Sequence, residues 1–202
     1  MISKIIVITF AVCYYAVTIC KCKGLKLNVK AQAWGGITCA ITLVLSMIYI
    51  PLPTGATISA GSMLPIMLLA VCFNYKAAIA TGWITGILAM ILIPVWQPVH
   101  WAQIFVEHLI CFSCLGYAGA FGTDKKQKVL MGSIVAVVIK TTAHIVAGVV
   151  FFSQNSWDGY GAWAYSLAYN LSNSIPEGII TVVILMLLPI KRIKKNMRAQ
   201  SE

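Results

Sequence analysis

Apolar runs of near-membrane length dominate the sequence and limit what it can fold into. They lie at about 5 to 19, 33 to 50, 62 to 73, 76 to 94, 102 to 121, 129 to 151 and 164 to 190. A helix needs roughly 20 apolar residues to cross a bilayer, and these runs lack the alternation of barrel strands. With 60% hydrophobic and only 10% charged residues, the chain is too apolar for a soluble domain. We therefore predict an all-α integral membrane protein with six bundled helices, in which the short run at 62 to 73 is a partial or tilted span.

The basic residues indicate how the helices are oriented. The net charge is +10, and thirteen of the fifteen Lys and Arg residues lie at 21 to 30, 76, 125 to 128 and 191 to 198. The segments 51 to 61, 95 to 101 and 152 to 163 contain none. By the positive-inside rule we expect the first set in the cytoplasm and the second outside, which places the C-terminus inside and the N-terminus outside. Because the charge is not spread over one folded face, we exclude nucleic acid as a partner.

The first apolar run is expected to be an additional transmembrane helix. A short run after Lys4 resembles a signal peptide, but no A-x-A pattern follows, and Ile19 is too large to precede a lipoprotein Cys20. The predicted organisation has three parts. Residues 1–30 form the extra N-terminal helix and a basic cytoplasmic linker, residues 31–190 form the six-helix membrane domain, and residues 191–202 form a basic cytoplasmic tail.

The sequence carries no catalytic motif. It has no phosphate-binding loop, zinc-protease motif or nucleophile elbow, so we expect no catalytic residue. If the protein moved a molecule across the membrane against a gradient, the energy would have to come from a partner or an ion. Cys111 and Cys114 form a C-x-x-C inside an apolar run. Without a second pair or a nearby His, they are interpreted as small buried residues. We expect neither a metal nor a cofactor.

Three charged residues lie inside the apolar runs: Glu107, Lys140 and Glu177. A charge at bilayer depth costs on the order of 3 kcal/mol, so each one is a candidate functional residue. Lys140 and Glu177 both lie near the midplane, where they are equally suited to a structural ion pair and to a role in a site. Helical spacing predicts two inward-facing polar stripes, one of Lys140, His144 and Gly148 and one of Tyr165, Asn170 and Glu177.

A shallower cluster is expected near the outer surface, formed by Glu107, His108, His144 and Asn170. These residues are suited either to binding a ligand or to hydrogen bonding between helices. The adjacent external loops are rich in aromatic residues, which favours ligand binding, although such residues also fit an aromatic belt at the membrane surface. Two carboxylates and one lysine leave the interior with one unpaired negative charge, which requires a partner. We therefore expect a small heteroaromatic monocation as the ligand.

Small residues indicate close helix packing at two places. Gly82 and Gly86 form a GxxxG motif, and Gly36 with Ala40 forms a second pair of small residues four positions apart. The first pair predicts contact between helices within the chain. Gly36 and Ala40 are equally suited to receive a helix of a partner protein.

Part of the chain resembles a known family. The residues that carry the resemblance are Lys140 to Gly148, Phe152 to Gln154, Trp157 to Asn170, Ile50 to Pro65 and Gln103 to Glu107. They are similar to the thiamine-specific substrate-binding (S) component of energy-coupling factor (ECF) vitamin transporters, over roughly residues 33 to 190. The resemblance implies an S component that binds thiamine from outside at the bacterial cell membrane. It also implies partners, namely one transmembrane coupling subunit and two cytoplasmic ATPases.

The resemblance also implies roles for individual residues. Glu107 matches the acidic thiamine ligand of the family, His144 its pocket histidine and Lys140 its deep lysine. Phe152 and His108 stand where some members have tryptophan and tyrosine. The full set of residues expected at the ligand is Glu107, His108, Lys140, His144, Gly148, Phe152, Trp157, Tyr165 and Asn170.

Three alternatives stay open from the sequence. The same scaffold is suited to a thiamine precursor or another vitamin, and a neutral pyrimidine would not need Glu107. A small membrane-embedded enzyme would use Glu107 and His144 as acid and base, although no nucleophile stands beside them. A purely structural assembly subunit would show no ligand-induced change in tryptophan fluorescence.

Overall fold

The computed structural model describes residues 2–93 and 96–199. Parts of three predicted regions lie outside the described residues: residue 1 of the N-terminal part, residue 95 of the external segment 95 to 101, and residues 200–202 of the tail. The helices are α1 (Ile2–Cys22), α2 (Val29–Met47), α3 (Leu64–Cys72), α4 (Tyr75–Leu92), α5 (Trp101–Gly119), α6 (Lys126–Phe151), α7 (Ala162–Leu187) and α8 (Ile190–Ala199). A hairpin of β1 (Tyr49–Pro51) and β2 (Thr57–Ser59) connects α2 to α3.

Six of the described helices are long and apolar enough to span a membrane: α1, α2, α4, α5, α6 and α7. They match the apolar runs of the sequence, so the prediction of a multi-pass helical membrane protein with an extra N-terminal helix is confirmed. The helix α3 has only 9 residues, which confirms that the run at 62 to 73 does not form a full span.

Local sequence signals set several helix boundaries. Asn28 precedes α2 and its side chain accepts a hydrogen bond from the Ala31 amide at 2.9 Å. Asn74 caps α4 in the same way through the amides of Lys76 and Ala77. These side chains satisfy amides that have no partner within the first turn of a helix. The chain can therefore turn back sharply at the cytoplasmic ends predicted by its charges.

The helix α5 changes its winding along its length. It begins as an α-helix at Trp101–Gln103, widens to a π-helix at Ile104–Leu109, returns to an α-helix at Ile110–Ser113 and tightens to a 3-10 helix at Cys114–Gly119. Hydropathy predicted the span but not these changes. π-Helical turns are rare and occur frequently at functional sites. The one in α5 contains Glu107.

Glycines bring α4 and α5 into backbone contact at the centre of the bundle. A Cβ atom on Gly82 would lie 2.5 Å from the Phe112 carbonyl oxygen, and one on Gly86 would lie 2.6 Å from that of His108. The GxxxG motif therefore packs helices within the chain, as predicted from its spacing. Gly132 on α6 makes an equivalent approach to Ala118. Side chains larger than hydrogen would separate these helices.

The second strand of the hairpin lies against α7. The register of the hairpin pairs Tyr49 with Ser59 and Pro51 with Thr57. Ser59 donates a hydrogen bond to the carboxylate of Glu177, which lies about 22 Å from the first residue of α7 at about 1.5 Å per residue. The external location predicted for 51 to 61 stays a prediction, and the structure adds that its second strand reaches far along α7. The second strand is half-buried at Ile58 and Ser59, whereas the first strand is exposed.

The first and last described helices pack against different helices of the bundle. The helix α1 packs against α5 and α6, mostly with exposed apolar residues on its other face. The helix α8 packs against α3 through Met197 and Ile193, whereas Lys191, Arg192 and Lys195 are exposed. The cationic face of α8 therefore points away from the core.

Candidate ligand-binding site

Glu107 and His144 form the centre of the candidate site. Glu107 lies in the π-helical segment of α5, and His144 faces it from α6 with Nδ1 at 3.3 Å from the carboxylate Oε1. Gln103, one turn earlier on α5, donates its side-chain amide to the other carboxylate oxygen. Both Glu107 and His144 have side chains that are 23% exposed. The carboxylate is thus held by two groups that carry no fixed positive charge.

Asn170 and Gly148 lie where α6 and α7 come into contact. The Asn170 side-chain amide donates to the carbonyl oxygens of His144 at 3.4 Å and Ser166 at 2.8 Å. A Cβ atom on Gly148 would clash with the hydroxyl of Ser166. Gly148 therefore lets the two helices approach each other, and its expected contact with a ligand stays a prediction.

His108 points away from this cluster, although it follows Glu107 directly. Its Nε2 lies 2.7 Å from the carbonyl oxygen of Trp96, and the side chain is buried toward α4, where Gly86 contacts its backbone. Consecutive residues in a helix point in directions about 100° apart, which explains the separation. The structure does not bring His108 together with His144 and Asn170 as the sequence predicted.

Lys140 and Glu177 come together as the sequence analysis anticipated. Lys140 Nζ lies 3.4 Å from Glu177 Oε2, with side-chain exposures of 15% and 7%. Ser59 and Ser62 donate hydrogen bonds to the other carboxylate oxygen, Oε1. A buried ion pair is stable only when its remaining hydrogen-bonding capacity is satisfied, which the two serines achieve.

Aromatic rings line the outer part of α7. The rings of Trp157 and Tyr165 meet edge to face with centroids 5.1 Å apart, and Tyr165 lies 5.6 Å from Tyr169. Phe152 is half-buried just after α6. Its neighbour Phe151 is the residue that stacks, on His100 at 5.7 Å and 24°. The structure thus joins Trp157 and Tyr165 in one aromatic row and leaves Phe152 outside it.

Two cavities lie away from the polar cluster. A groove of about 180 Å³ runs between α2 and α4 and is lined by Gly36. Ala40, one turn further along α2, is exposed. A second cavity of about 220 Å³ is lined by Lys76 of α4 and Lys194 of α8. Neither cavity is lined by Glu107 or His144, whose side chains contact each other while Gln103 donates to the Glu107 carboxylate.

Sequence reasoning missed several residues of the site. Gln103 had a usable signal, because an amide four residues before a carboxylate on a helix can reach it. Ser59 and Tyr169 had none, since their partners are distant in sequence. Tyr169 donates its hydroxyl to the Gly55 carbonyl at 3.2 Å, and Ser59 reaches Glu177. Contacts between residues more than a hundred positions apart are set by the tertiary fold.

Comparisons with known proteins give a consistent result. The thiamine transporter ThiT of Bacillus subtilis (strain 168) is 28% identical over an alignment of 157 positions, with 72% of this chain and 81% of that protein covered. ThiT of Lacticaseibacillus paracasei is 29% identical over 161 residues, with 71% and 80% covered. A solved structure of ThiT from Listeria monocytogenes has the same fold, with a TM-score of 0.70 at 22% identity over 83% of this chain and 96% of that one.

A family match covers most of the chain. Residues 32–197 of the 202 match the family described as Thiamine transporter protein (Thia_YuaJ). The match begins after α1 and includes α2 to α7 together with the residues that carry the resemblance noted from the sequence. That resemblance is therefore confirmed, and the chain belongs to the thiamine transporter protein family.

Proposed function

We propose that the chain takes up thiamine by binding it from the outer side at Glu107, as the substrate-binding subunit of an ECF-type transporter. One observation carries this proposal. Among the described residues, Lys140 is paired with Glu177, while Glu107 is held only by Gln103 and His144. A carboxylate at this depth without a lysine or arginine partner is well suited to a ligand that brings its own positive charge. The thiazolium ring of thiamine is a permanent cation.

The residues around Glu107 provide further contacts for such a ligand. The Trp157 and Tyr165 rings offer apolar surface for stacking, and the His144 ring can donate or accept a hydrogen bond at the polar side. Asn170 borders His144 from α7. The site we propose therefore consists of Glu107, His144, Trp157, Tyr165 and Asn170. Lys140 lies deeper in the bundle and supports this site through its ion pair with Glu177.

Binding explains this arrangement better than catalysis does. An acid and base pair needs a reacting group beside it, and the thiols of Cys111 and Cys114 point to the carbonyl oxygens of Lys140 and Ala136 in the buried core. The family to which the chain belongs is one of transporters. We therefore propose that Glu107 and His144 bind and release the ligand without changing it.

Replacing Glu107 by Gln tests the proposal. Breaking a buried charge pair on one side costs about 2–5 kcal/mol, so the affinity for thiamine should fall by about 30-fold or more. Tryptophan fluorescence titration of the purified protein measures this loss. Asp158→Asn is the matched control, because Asp158 is an exposed carboxylate of the outer loop that lies outside the cluster, and its loss should leave the affinity unchanged.

A second titration separates thiamine from its precursor. Hydroxymethylpyrimidine has no permanent charge, so its binding should be weak and unaffected by Glu107→Gln. If the wild-type protein binds the pyrimidine as tightly as thiamine, or if Glu107→Gln retains full thiamine affinity, the assignment is wrong.

We also propose an orientation and a docking surface. The thirteen basic residues outside the membrane core favour a cytoplasmic C-terminus. The groove between α2 and α4 supports docking of the coupling subunit, since Gly36 has no atom within 4 Å of a Cβ position and Ala40 is exposed. Small exposed residues four apart allow a partner helix to approach closely. Two cytoplasmic ATPases would supply the energy that the chain itself has no motif to provide.

A further inference from the structure

The helix α1 lies beside α5 in a fixed parallel register. The hydroxyl of Tyr14 lies 2.6 Å from that of Ser113, and the hydroxyl of Thr18 lies 2.8 Å from that of Tyr117. Both pairs are separated by 99 residues in sequence. Tyr14 and Thr18 are buried, so these contacts lie inside the α1 and α5 interface. Two hydroxyl pairs with one sequence offset hold α1 at a single height along α5.

This register places a third hydroxyl of α1 at the π-helical segment. Tyr15 donates its hydroxyl to the carbonyl oxygen of Phe105 at 2.7 Å. Phe105 is the second residue of the segment Ile104–Leu109, and Glu107 follows it by two positions. The helix α1 thus contacts the backbone segment that carries Glu107, the residue we propose to bind thiamine.

The direction in which Glu107 points depends on the π-helical winding. One residue corresponds to about 100° of turn in an α-helix. A π-helical turn accommodates an extra residue, so the side chains on its two sides are rotated relative to one another by about that angle. If α5 relaxed to a regular α-helix, Glu107 would turn away from His144 while Ile110–Ser113 stayed against α4. Whatever stabilises the π-helical segment therefore positions the carboxylate.

We propose that Tyr15 is a positioning residue for the ligand site, because its hydroxyl holds the π-helical segment in the form that directs Glu107 toward His144. In this role α1 acts on substrate affinity although it contributes no side chain to the proposed site. The proposal rests on the proposed function for the identity of the ligand. The effect of the Tyr15 hydroxyl on the π-helical segment does not depend on which ligand binds.

A pair of adjacent substitutions tests this role. Tyr15→Phe removes the hydroxyl bond to Phe105 and keeps the ring. Tyr14→Phe removes a hydroxyl from the same helix, but its partner Ser113 lies beyond the π-helical segment. In purified protein, Tyr15→Phe should weaken thiamine binding about tenfold, measured by tryptophan fluorescence, whereas Tyr14→Phe should leave the affinity unchanged.

The Glu107→Gln background separates positioning from general loss of structure. If Tyr15 acts through Glu107, Tyr15→Phe should cause little further loss of affinity once the carboxylate is gone. If it lowers affinity by the same factor in both backgrounds, or if Tyr14→Phe and Tyr15→Phe weaken binding equally, the proposal is overturned.

Hydrogen exchange of the ligand-free protein provides a readout that needs no thiamine. Amides of residues 104–109 should exchange faster in Tyr15→Phe than in wild type or Tyr14→Phe, because the segment opens more often. Unchanged exchange in Tyr15→Phe contradicts the role of the hydroxyl. If the wild-type protein fails to bind thiamine, the proposed function fails, and the exchange experiment still decides whether Tyr15 holds the segment.

Discussion

Glu107 and Glu177 are both carboxylates within the membrane region, but their surroundings differ. Glu177 has an ion pair with Lys140 and hydrogen bonds from Ser59 and Ser62. Among the described residues, the carboxylate of Glu107 has as side-chain partners only the amide of Gln103 and the imidazole of His144. A buried ion pair whose partners are all satisfied gains little free energy from a ligand, whereas a carboxylate without a positively charged partner gains much. We infer that Glu177 holds the bundle together and that Glu107 binds the ligand.

The ion pair can be tested as a unit. Lys140→Met and Glu177→Leu should each destabilise the protein by about 3–5 kcal/mol, because each leaves a buried charge without its partner. The double variant should be more stable than either single variant. Glu177→Leu should have the larger single effect, since it also removes the acceptor of Ser59. Thermal unfolding in detergent completes the cycle, and simple additivity of the two changes would show that the residues do not interact.

At the scale of elements, the β1–β2 hairpin is fastened to α7 at several levels. Thr54 lies 3.0 Å from Ser172 between hydroxyl oxygens, Tyr169 donates to the Gly55 carbonyl, and Ser59 donates to Glu177. The hairpin thereby covers the part of α7 that follows the aromatic row of Trp157 and Tyr165. We propose that a ligand entering from the outer side passes this edge of the bundle.

Loosening the hairpin should therefore change the rates of thiamine association and dissociation more than the affinity for thiamine. Thr54→Val removes one hydroxyl contact worth about 0.5–1.5 kcal/mol, so thiamine association and dissociation should both accelerate about 2- to 10-fold. Stopped-flow tryptophan fluorescence measures both rates. Thr57→Val in the same hairpin is the control, because the Thr57 side chain is exposed. Equal rates in the two variants would mean that the contact with Ser172 does not restrain the hairpin.

The elements differ in how far the sequence could predict them. Hydropathy placed the long spans within a few residues, because burial in lipid is a local property of each run. The hairpin was not predicted, since Pro51, Pro53 and Gly55 are typical of any outer loop and its anchors on α7 are distant in sequence. The π-helical turn was also missed, because no residue type in Ile104–Leu109 encodes it and α1 contributes to it through Tyr15.

The candidate site was predicted where helical spacing alone decides the geometry. Lys140 and His144 share one face of α6 because they are four positions apart, and their partners on other helices follow from matching depth. The direction of the His108 side chain was predicted wrongly, because a single residue of rotation decides which neighbours a helical side chain faces. Such details depend on how neighbouring helices pack.

At the scale of the whole molecule, we propose separate roles for two different helix surfaces. The α2 and α4 groove is lined by small residues and is open, whereas the surface of α5 and α6 is covered by α1. A coupling subunit that docks at the groove therefore does not compete with α1. The ligand cluster lies between α5, α6 and α7, so docking and binding are separated in space.

A bulky substitution in the proposed docking surface tests this separation. Ala40→Trp should abolish thiamine uptake in vesicles that contain the coupling subunit, the ATPases and ATP, because the ring prevents close helix approach. Thiamine binding to the isolated protein should be unchanged. Val138→Trp is the control, since Val138 is similarly accessible but lies on α6. Normal uptake by Ala40→Trp would place the docking surface elsewhere, and accumulation of thiamine by the protein alone would remove the need for partners.

The register of α1 also fixes an order of events during synthesis. Ser113 and Tyr117, which receive α1, leave the ribosome 99 residues after Tyr14 and Thr18. The helix α1 must therefore remain without these two partners until α5 has been inserted. Its exposed apolar face allows it to stay in lipid during this time. The helix α1 is thus synthesised before α5 but packs against it late, and the segment that carries Glu107 gains its Tyr15 contact only when α1 has packed.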